Sequence, residues 1–170
     1  MKYKICWITL CFNEMDILPF VEQYWRRIAA KVVVYDNGST DGSIEYLQQY
    51  DWIEVRHFET EGQNDNVQRD IKSKAWKESK GIADFVIVCD MDEMIYCPTI
   101  EQELQYMKDN DYNVMGMPWY ALCFDKRPTY DANKLLHQQG DKFYKQYINH
   151  KHIYSHLGKF MLFEPNKIDN

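Results

Sequence analysis

Short apolar runs alternate with amphipathic segments along the first hundred residues of the chain. The runs at residues 3–10, 31–35 and 85–89 are typical of strands buried on both faces of a sheet. Residues 52–58 alternate apolar with polar positions and predict a further strand. Between the strands, apolar residues recur at helical spacing. They predict helices that begin near Asp16, that follow a cap at Ser39, Thr40 or Asp41, and that cover residues 67–80.

The second half of the chain has a weaker pattern. Thr99 and Gln102 have the spacing of a capping box, which predicts a helix with Ile100, Leu104 and Met107 on its buried side. Residues 113–122 and 159–163 predict strands, and the segment between them is rich in Lys, Tyr and His. The chain of 170 residues shows no internal repeat and no linker, so we expect a single domain.

This alternation of strands and helices predicts an α/β fold. Right-handed crossovers between the strands imply a largely parallel central sheet with helices on both faces, a three-layer α/β/α sandwich. Ligands of open α/β sheets bind at the carboxyl ends of the strands. The polar turns at residues 11–14 and 36–41 and the acidic segment at residues 90–93 therefore meet at one edge and form one candidate site.

Three carboxylates lie within four positions after the strand at residues 85–89. Asp90, Asp92 and Glu93 repel one another unless positive charge lies between them, which favours a divalent cation at this strand end. The alternative is a solvated loop that closes a core strand, since loops carry both exposed charge and function.

Three pieces of the sequence together resemble family 2 glycosyltransferases of the GT-A fold. They are CFNE at residues 11–14, DNGSTDG at residues 36–42 and DMDE at residues 90–93, in this order and at this spacing. The resemblance covers roughly residues 3–97. It implies a GT-A-like, Rossmann-type domain in which residues 1–97 form the nucleotide-sugar-binding half and residues 98–170 begin the acceptor half. Family members usually continue further, so we expect the chain to be truncated at its carboxyl end.

The resemblance also implies roles for individual residues. Phe12 corresponds to an aromatic ring that stacks on the nucleotide base, with core packing as the alternative. Asp36 corresponds to a carboxylate that accepts a hydrogen bond from uracil or a related base, with a turn-forming role as the alternative. Arg69 lies near the position where some relatives place a cation that faces the nucleotide and can hold phosphate, with a solvated helix face as the alternative. The implied nucleotide-sugar-binding residues are Cys11, Phe12, Glu14, Asp36, Arg69 and Asp90.

The DMDE segment matches the DxD motif of the family. The resemblance implies that Asp92 coordinates Mn2+ or Mg2+ on the diphosphate, while Asp90 contacts the ribose or a metal-bound water. Glu93 either orients the loop or takes part directly. Related enzymes place a metal-binding histidine late in the domain, and His156 is the candidate here. His152 and His156 also have the spacing of a zinc pair on a helix, although no helix is established there.

The predicted function is transfer of a sugar from a nucleotide-sugar, UDP-linked, to a saccharide or lipid-linked acceptor in polysaccharide biosynthesis. The resemblance implies metal dependence and inversion at the anomeric carbon. No general base can be assigned, and Asp125 and Glu164 are the candidates considered. One alternative is a non-catalytic nucleotide-sugar-binding module. Another is a phosphatase of the haloacid dehalogenase class, which fits poorly because its D-x-D motif opens the domain.

Composition adds limits on partners and compartment. A net charge of −6 and a pI near 5.3 argue against a nucleic-acid binder that depends on a basic field. Five cysteines without C-x-x-C spacing favour a reducing compartment, and the amino terminus has no signal-peptide pattern, so we expect a cytoplasmic protein. No apolar span reaches the length of a transmembrane helix. Peripheral membrane association stays open.

Overall fold

A computed structural model describes residues 1–62, 64–117, 120–124, 126–139, 142–145 and 159–168. A six-stranded sheet has the strand order β3-β2-β1-β4-β8-β5, and a separate two-stranded antiparallel sheet pairs β6 with β7. The pairs β1–β2, β2–β3 and β1–β4 are parallel, whereas β8 runs antiparallel to β4 and β5. The strands are β1 (Ile5–Cys11), β2 (Lys31–Asp36), β3 (Ile53–His57), β4 (Phe85–Val88), β5 (Val114–Met117), β6 (Tyr120–Cys123), β7 (Lys142–Lys145) and β8 (Lys159–Phe163).

Helices cover both faces of the sheet, which confirms the predicted three-layer α/β arrangement. The helices are α1 (Leu18–Ile28), α2 (Ser43–Leu47), α3 (Asp65–Ala75) and α4 (Ile100–Asp109). The larger core cluster joins β1, β2 and β4 to α1, α2 and α4, because alternate strand residues such as Trp7, Val34 and Ile87 point to that face. The smaller cluster joins the opposite strand face to α3 and to the 3-10 turn Trp76–Ser79 that follows it.

Three local predictions were wrong. The predicted strand at residues 113–122 is two strands, β5 and β6, which belong to different sheets. Helix α4 begins as predicted, but Thr99 makes no side-chain capping hydrogen bond, so the capping box does not form. Helix α1 has Ile17 at its cap position, and Asp16 instead forms an ion pair with Arg127.

Residues 126–139 run along the outer side of α1. In chain order, their first contact with this part of the protein is the ion pair between Arg127 and Asp16. Asp16 lies in the turn that follows the carboxyl end of β1. Further along, the buried Tyr24 hydroxyl lies 2.9 Å from Nδ1 of His137 and accepts a hydrogen bond from the His137 backbone N–H. This segment ties the second half of the chain to the first helix. Within the described ranges, no helix has the length and apolar character to cross a membrane.

The central position of β4 predicts a large difference between two isoleucines of the same segment. Ile87 is 0% exposed in the core, whereas Ile82 is 70% exposed just before the strand. We expect Ile87→Ala to lower the free energy of unfolding by about 2–5 kcal/mol, because it removes buried methylene groups and leaves a cavity. The matched control, Ile82→Ala, should change it by less than about 0.5 kcal/mol. Urea unfolding measures both, and equal losses would contradict the assignment of Ile87 to the core.

Candidate functional site

The turn after β1 and the turn after β2 are held together by hydrogen bonds. The backbone N–H of Asn37 donates to the carbonyl of Cys11 over 2.9 Å and extends the ladder of the two strands by one step. The Asn13 N–H donates to Ser39 Oγ, and the Thr40 N–H donates to Asn13 Oδ1, each over 2.8 Å. Asn13 has a φ of +56°, a left-handed conformation that asparagine adopts more readily than most residues.

Asp41 and Ser43 continue these links towards α1. The Glu14 N–H donates to Ser43 Oγ and the Met15 N–H donates to Asp41 Oδ2, both over 2.9 Å. Burial disfavours the ionised form of Asp41, but hydrogen bonds from Ser43 and Met15 outweigh that effect and lower its pKa. Residues 37–41 are thus used as scaffold, and their side-chain oxygens hold backbone amides in place.

The carboxylate of Asp36 accepts hydrogen bonds within its own turn. Its carboxylate accepts the N–H of Gly38 over 2.9 Å, and it also accepts both the N–H and the hydroxyl of Ser39. The residue is only 3% exposed. Of the two roles considered from the sequence, the structure provides the contacts of the turn-forming one.

Phe12 and Cys11 are adjacent, but they have opposite environments. Phe12 is 55% exposed, so it does not pack in the core and its ring is available to a ligand. Cys11 is buried with its Sγ 3.7 Å from Ser39 Oγ, and burial raises the pKa of its thiol to about 11. This arrangement leaves Cys11 almost no side-chain surface for the nucleotide contact expected from the sequence.

The three carboxylates of the acidic loop after β4 have different environments. Asp90 forms an ion pair with the ammonium group of Lys72 on α3. Glu93 accepts the Asp90 backbone N–H over 3.0 Å, and its own N–H donates to the Asp90 carbonyl, so it holds the loop. Asp92 is exposed to solvent. The loop therefore presents Asp92 outward while Asp90 and Glu93 have contacts within the protein.

Lys72 is a site residue that the sequence analysis missed. The residue predicted from the sequence was Arg69, which lies about one helical turn earlier on α3. Its side chain is exposed and donates a hydrogen bond to Asn66. Residues three apart on a helix lie on neighbouring parts of one surface. The spacing from Arg69 could therefore have drawn attention to Lys72. It could not have identified the partner carboxylate, because that contact depends on how α3 lies against β4.

Glu14 contributes a further carboxylate to this edge. Burial raises the pKa of Glu14, and the negative charges of Asp92 and Asp41 raise it further. Negative charge is therefore concentrated between the first turn and the DxD loop. Among the residues that the structure describes, no three His, Cys, Asp or Glu side chains form a group that could hold a metal ion. Mg2+ and Mn2+ nevertheless fit these oxygen donors, since such ions commonly use one or two protein carboxylates together with phosphate and water.

Of the candidates from the second half of the chain, the structure describes Glu164, and this residue does not lie at the edge that carries the site. Glu164 is buried and forms an ion pair of 2.6 Å with Lys108. It follows Phe163, which pairs with Val86 near the beginning of β4, so it lies at the edge opposite to Asp90. This position does not suit a general base for the site. His156 and Asp125 lie outside the described residues.

Comparisons with known proteins add the following findings. A family model described as Glycosyl transferase family 2 matches residues 6–167. The crystal structure of 4-diphosphocytidyl-2C-methyl-D-erythritol synthase is similar, with a TM-score of 0.51 and 10% identity over 97% of this chain and 77% of that chain. The crystal structure of glucosyl-3-phosphoglycerate synthase from Mycobacterium tuberculosis in complex with Mn2+, uridine-diphosphate and glucosyl-3-phosphoglycerate has a TM-score of 0.39 and 15% identity, over 63% of this chain and 40% of that chain. No curated protein matches.

The environment of Glu14 predicts a pH-dependent gain in stability for Glu14→Gln. Because the pKa of this carboxyl group is raised in the folded state, its contribution to stability is present at low pH. That contribution is lost as the pH rises from the ordinary pKa of glutamate through the raised pKa of the folded state. We expect the melting temperature of Glu14→Gln to exceed that of the wild type at pH 7 and to approach it near pH 4. Partial exposure of the site keeps the gain small.

Thermal unfolding between pH 4 and pH 7 without added metal measures this effect. Glu61→Gln removes another exposed carboxylate, one that does not contribute to the raised pKa of Glu14, and serves as the control for the change in net charge. A gain for Glu14→Gln that is the same at both pH values, or equal to that of the control, would contradict the electrostatic interpretation.

Proposed function

Because the chain belongs to glycosyl transferase family 2, we propose that it transfers a sugar from a UDP-linked donor to an acceptor hydroxyl, with a divalent metal ion and with inversion at the anomeric carbon. The observation that carries this proposal is the meeting of three features at one sheet edge. They are the exposed ring of Phe12, the exposed carboxylate of Asp92 and the cation of Lys72. Together they offer contacts to a flat base, a metal ion and a diphosphate.

Different residues contact different parts of the nucleotide-sugar donor. The Phe12 ring supplies apolar area to one face of the base, and hydrogen bonds of the next residue, Asn13, hold the backbone of this turn in place. Asp92 would hold Mn2+ or Mg2+, with Asp90 beside it. When bound, such an ion acts as a Lewis acid that stabilises the negative charge on the departing nucleoside diphosphate.

The acceptor half of the reaction needs a group that removes the proton of the attacking hydroxyl. In a direct displacement this hydroxyl attacks the anomeric carbon from the side opposite to the diphosphate, which gives inversion. We propose a saccharide or a lipid-linked sugar as the acceptor, from the family resemblance. Residues 98–170 are proposed as the beginning of the half that binds it.

Asp92→Asn tests the metal assignment. For the wild type, we expect UDP at about 100 times its Kd to raise the melting temperature by about 5–10 °C with Mn2+. Without metal the rise should be much smaller. In Asp92→Asn the Mn2+-dependent part of the rise should vanish, and sugar transfer should fall by about 100-fold or more, since metal stabilisation of the leaving group is lost.

Asp51→Asn, an exposed aspartate in the turn before β3, serves as the control and should keep the full response. An unchanged response in Asp92→Asn would contradict the metal assignment. Binding of UDP and Mn2+ without transfer or hydrolysis by the complete protein would support the alternative of a non-catalytic nucleotide-sugar-binding module.

Lys72→Met should change the binding of metal and nucleotide in opposite directions. Without the ammonium group, Mn2+ alone should bind up to about fivefold more tightly, because an exposed charge pair contributes about 1 kcal/mol at most. UDP with Mn2+ should bind about 10–100-fold more weakly, because a charge-assisted hydrogen bond to phosphate is lost. Isothermal titration calorimetry measures both. Arg69→Met is the matched comparison. If it weakens the binding of UDP with Mn2+ more than Lys72→Met does, the phosphate contact belongs to Arg69 and not to Lys72.

A further inference from the structure

A cleft lies on the outer side of α1, away from the edge that carries the candidate site. Helix α1 connects the parallel strands β1 and β2, so it runs from that edge back towards the opposite edge of the sheet. The cleft is lined by residues 22, 23, 26 and 27 of this helix and by residues 130, 132 and 134 of the segment beside it. Its volume is about 210 Å³. Pockets for drug-sized ligands have roughly 300–1,000 Å³, so this cleft suits a smaller group.

Positive charge dominates the lining of this cleft. Arg26, Arg27 and Lys134 contribute three positive charges and Glu22 contributes one negative charge, so the formal sum is +2. The protein as a whole has a net charge of −6. The cleft is therefore a local positive site on an acidic protein, which favours an anionic ligand.

Two of these cations have no close acidic partner. Arg27 forms no ion pair or side-chain hydrogen bond with the residues that the structure describes. Burial lowers the pKa of His137, and the positive charge of Arg27 lowers it further, which indicates that this charge is not neutralised locally. The Nζ of Lys134 lies 3.9 Å from Asp131 Oδ2, too long for a hydrogen bond, and its side chain is 64% exposed. Both side chains therefore have donors to offer a ligand.

The third cation, Arg26, is held in place by a buried carboxylate. Glu22 accepts a hydrogen bond of 2.6 Å from Nε of Arg26, while 63% of the arginine side chain stays exposed. Cations in the last turn of a helix are also favoured by the helix dipole, which is sufficient to explain Arg26 and Arg27. The dipole does not explain Lys134, which brings a further positive charge to the same cleft from another segment.

The wall opposite α1 is fixed by contacts within the protein. Gln23 donates a hydrogen bond of 2.9 Å from Nε2 to the backbone carbonyl of Asp131. The ring of Tyr130 packs edge to face on Phe20, with 5.5 Å between the ring centroids. The cleft is thus formed before a ligand binds, which reduces the entropic cost of binding.

A phosphate monoester matches this lining in charge and in shape. It carries about −1.5 to −2 charge at pH 7, close to the opposite of the formal charge of the cleft, whereas a carboxylate carries a single charge. Its three terminal oxygens accept charge-assisted hydrogen bonds, for which guanidinium groups have suitable geometry. The half-exposed ring of Tyr130 offers apolar area to the group that carries the phosphate.

We propose that the cleft between α1 and residues 130–134 binds the phosphate group of a phosphate monoester, with Arg27 and Lys134 as its main contacts. A soluble phosphate ester and the headgroup of a phospholipid present the same chemistry to this cleft. The inference goes beyond the proposed function, because it requires neither the nucleotide-sugar nor the metal ion.

Calorimetric titration with glycerol 3-phosphate, at low ionic strength and without metal, tests the soluble source. We expect a Kd of about 1 mM or tighter for the wild type. Arg27→Gln and Lys134→Gln should each weaken binding by about five- to tenfold, because each removes a charge-assisted hydrogen bond. The double variant should bind at least about 25-fold more weakly. Both side chains are exposed, so its melting temperature should stay within about 2 °C of the wild type.

Two control variants locate the binding. Lys77→Gln removes an exposed cation from the 3-10 turn on the other face of the sheet and should leave the Kd unchanged. Lys72→Met removes the cation assigned to the diphosphate and should also leave it unchanged. The proposal is overturned if the wild type and the double variant bind glycerol 3-phosphate equally, or if Lys72→Met weakens binding and Arg27→Gln does not.

Vesicles distinguish the lipid source from the soluble one. Phosphatidylcholine vesicles with phosphatidic acid present the monoester, and vesicles with phosphatidylserine at matched surface charge do not. Cosedimentation with the first kind alone, lost in the double variant, assigns the site to a lipid headgroup. Binding of glycerol 3-phosphate without cosedimentation assigns it to a soluble ester. Absence of both overturns the proposal.

Failure of the proposed function gives a different result. In that case the wild type does not bind UDP with Mn2+, while glycerol 3-phosphate still binds and still depends on Arg27 and Lys134. If UDP binds with Mn2+ and the affinity for glycerol 3-phosphate is the same in the wild type and in the double variant, only the inference about this cleft fails.

Discussion

The parallel register of β1 with β2 is the constraint on which the site depends. It pairs Cys11 with Asp36, so both strands end at the same height and their turns begin side by side. The Asn37 N–H to Cys11 carbonyl hydrogen bond carries the ladder beyond the strands into the turns. A slip of one residue would turn every side chain of one strand to the other face, and the buried Cys11 and Asp36 would exchange places with exposed neighbours.

Once the register is set, short side chains complete the turns. Side-chain oxygens of Ser39, Asp41 and Ser43 each accept a hydrogen bond from a backbone N–H of the first turn. In the other direction, the side-chain Oδ1 of Asn13 accepts a hydrogen bond from the backbone N–H of Thr40. Backbone N–H groups that leave a strand need partners, because an unpaired buried donor costs roughly 1–3 kcal/mol. These polar residues are therefore explained by the demands of the backbone before any ligand is considered.

The sequence predicted the parts of the fold that follow from periodicity. The four parallel strands β1 to β4, the helices between them and the common edge of the turns were expected from apolar runs and helical spacing, and the structure has them. The separation of β5 from β6 and the ion pair of Asp16 with Arg127 were not predicted. Both depend on contacts between residues far apart in the chain, which local spacing does not determine. Lys72 was missed for the same reason, since its partner Asp90 is on another element.

The same distinction applies within the candidate site. Motif residues such as Asp36 and Ser39 are conspicuous in the sequence, yet their polar atoms are largely used within the protein. Exposed groups at this edge are fewer and less conspicuous, and they include Phe12, Asp92 and His57. A carboxylate that already accepts hydrogen bonds from its own turn keeps fewer lone pairs for a ligand than an exposed carboxylate does. The exposed groups are therefore the ones that a ligand can reach without rearrangement of the hydrogen-bonded turns.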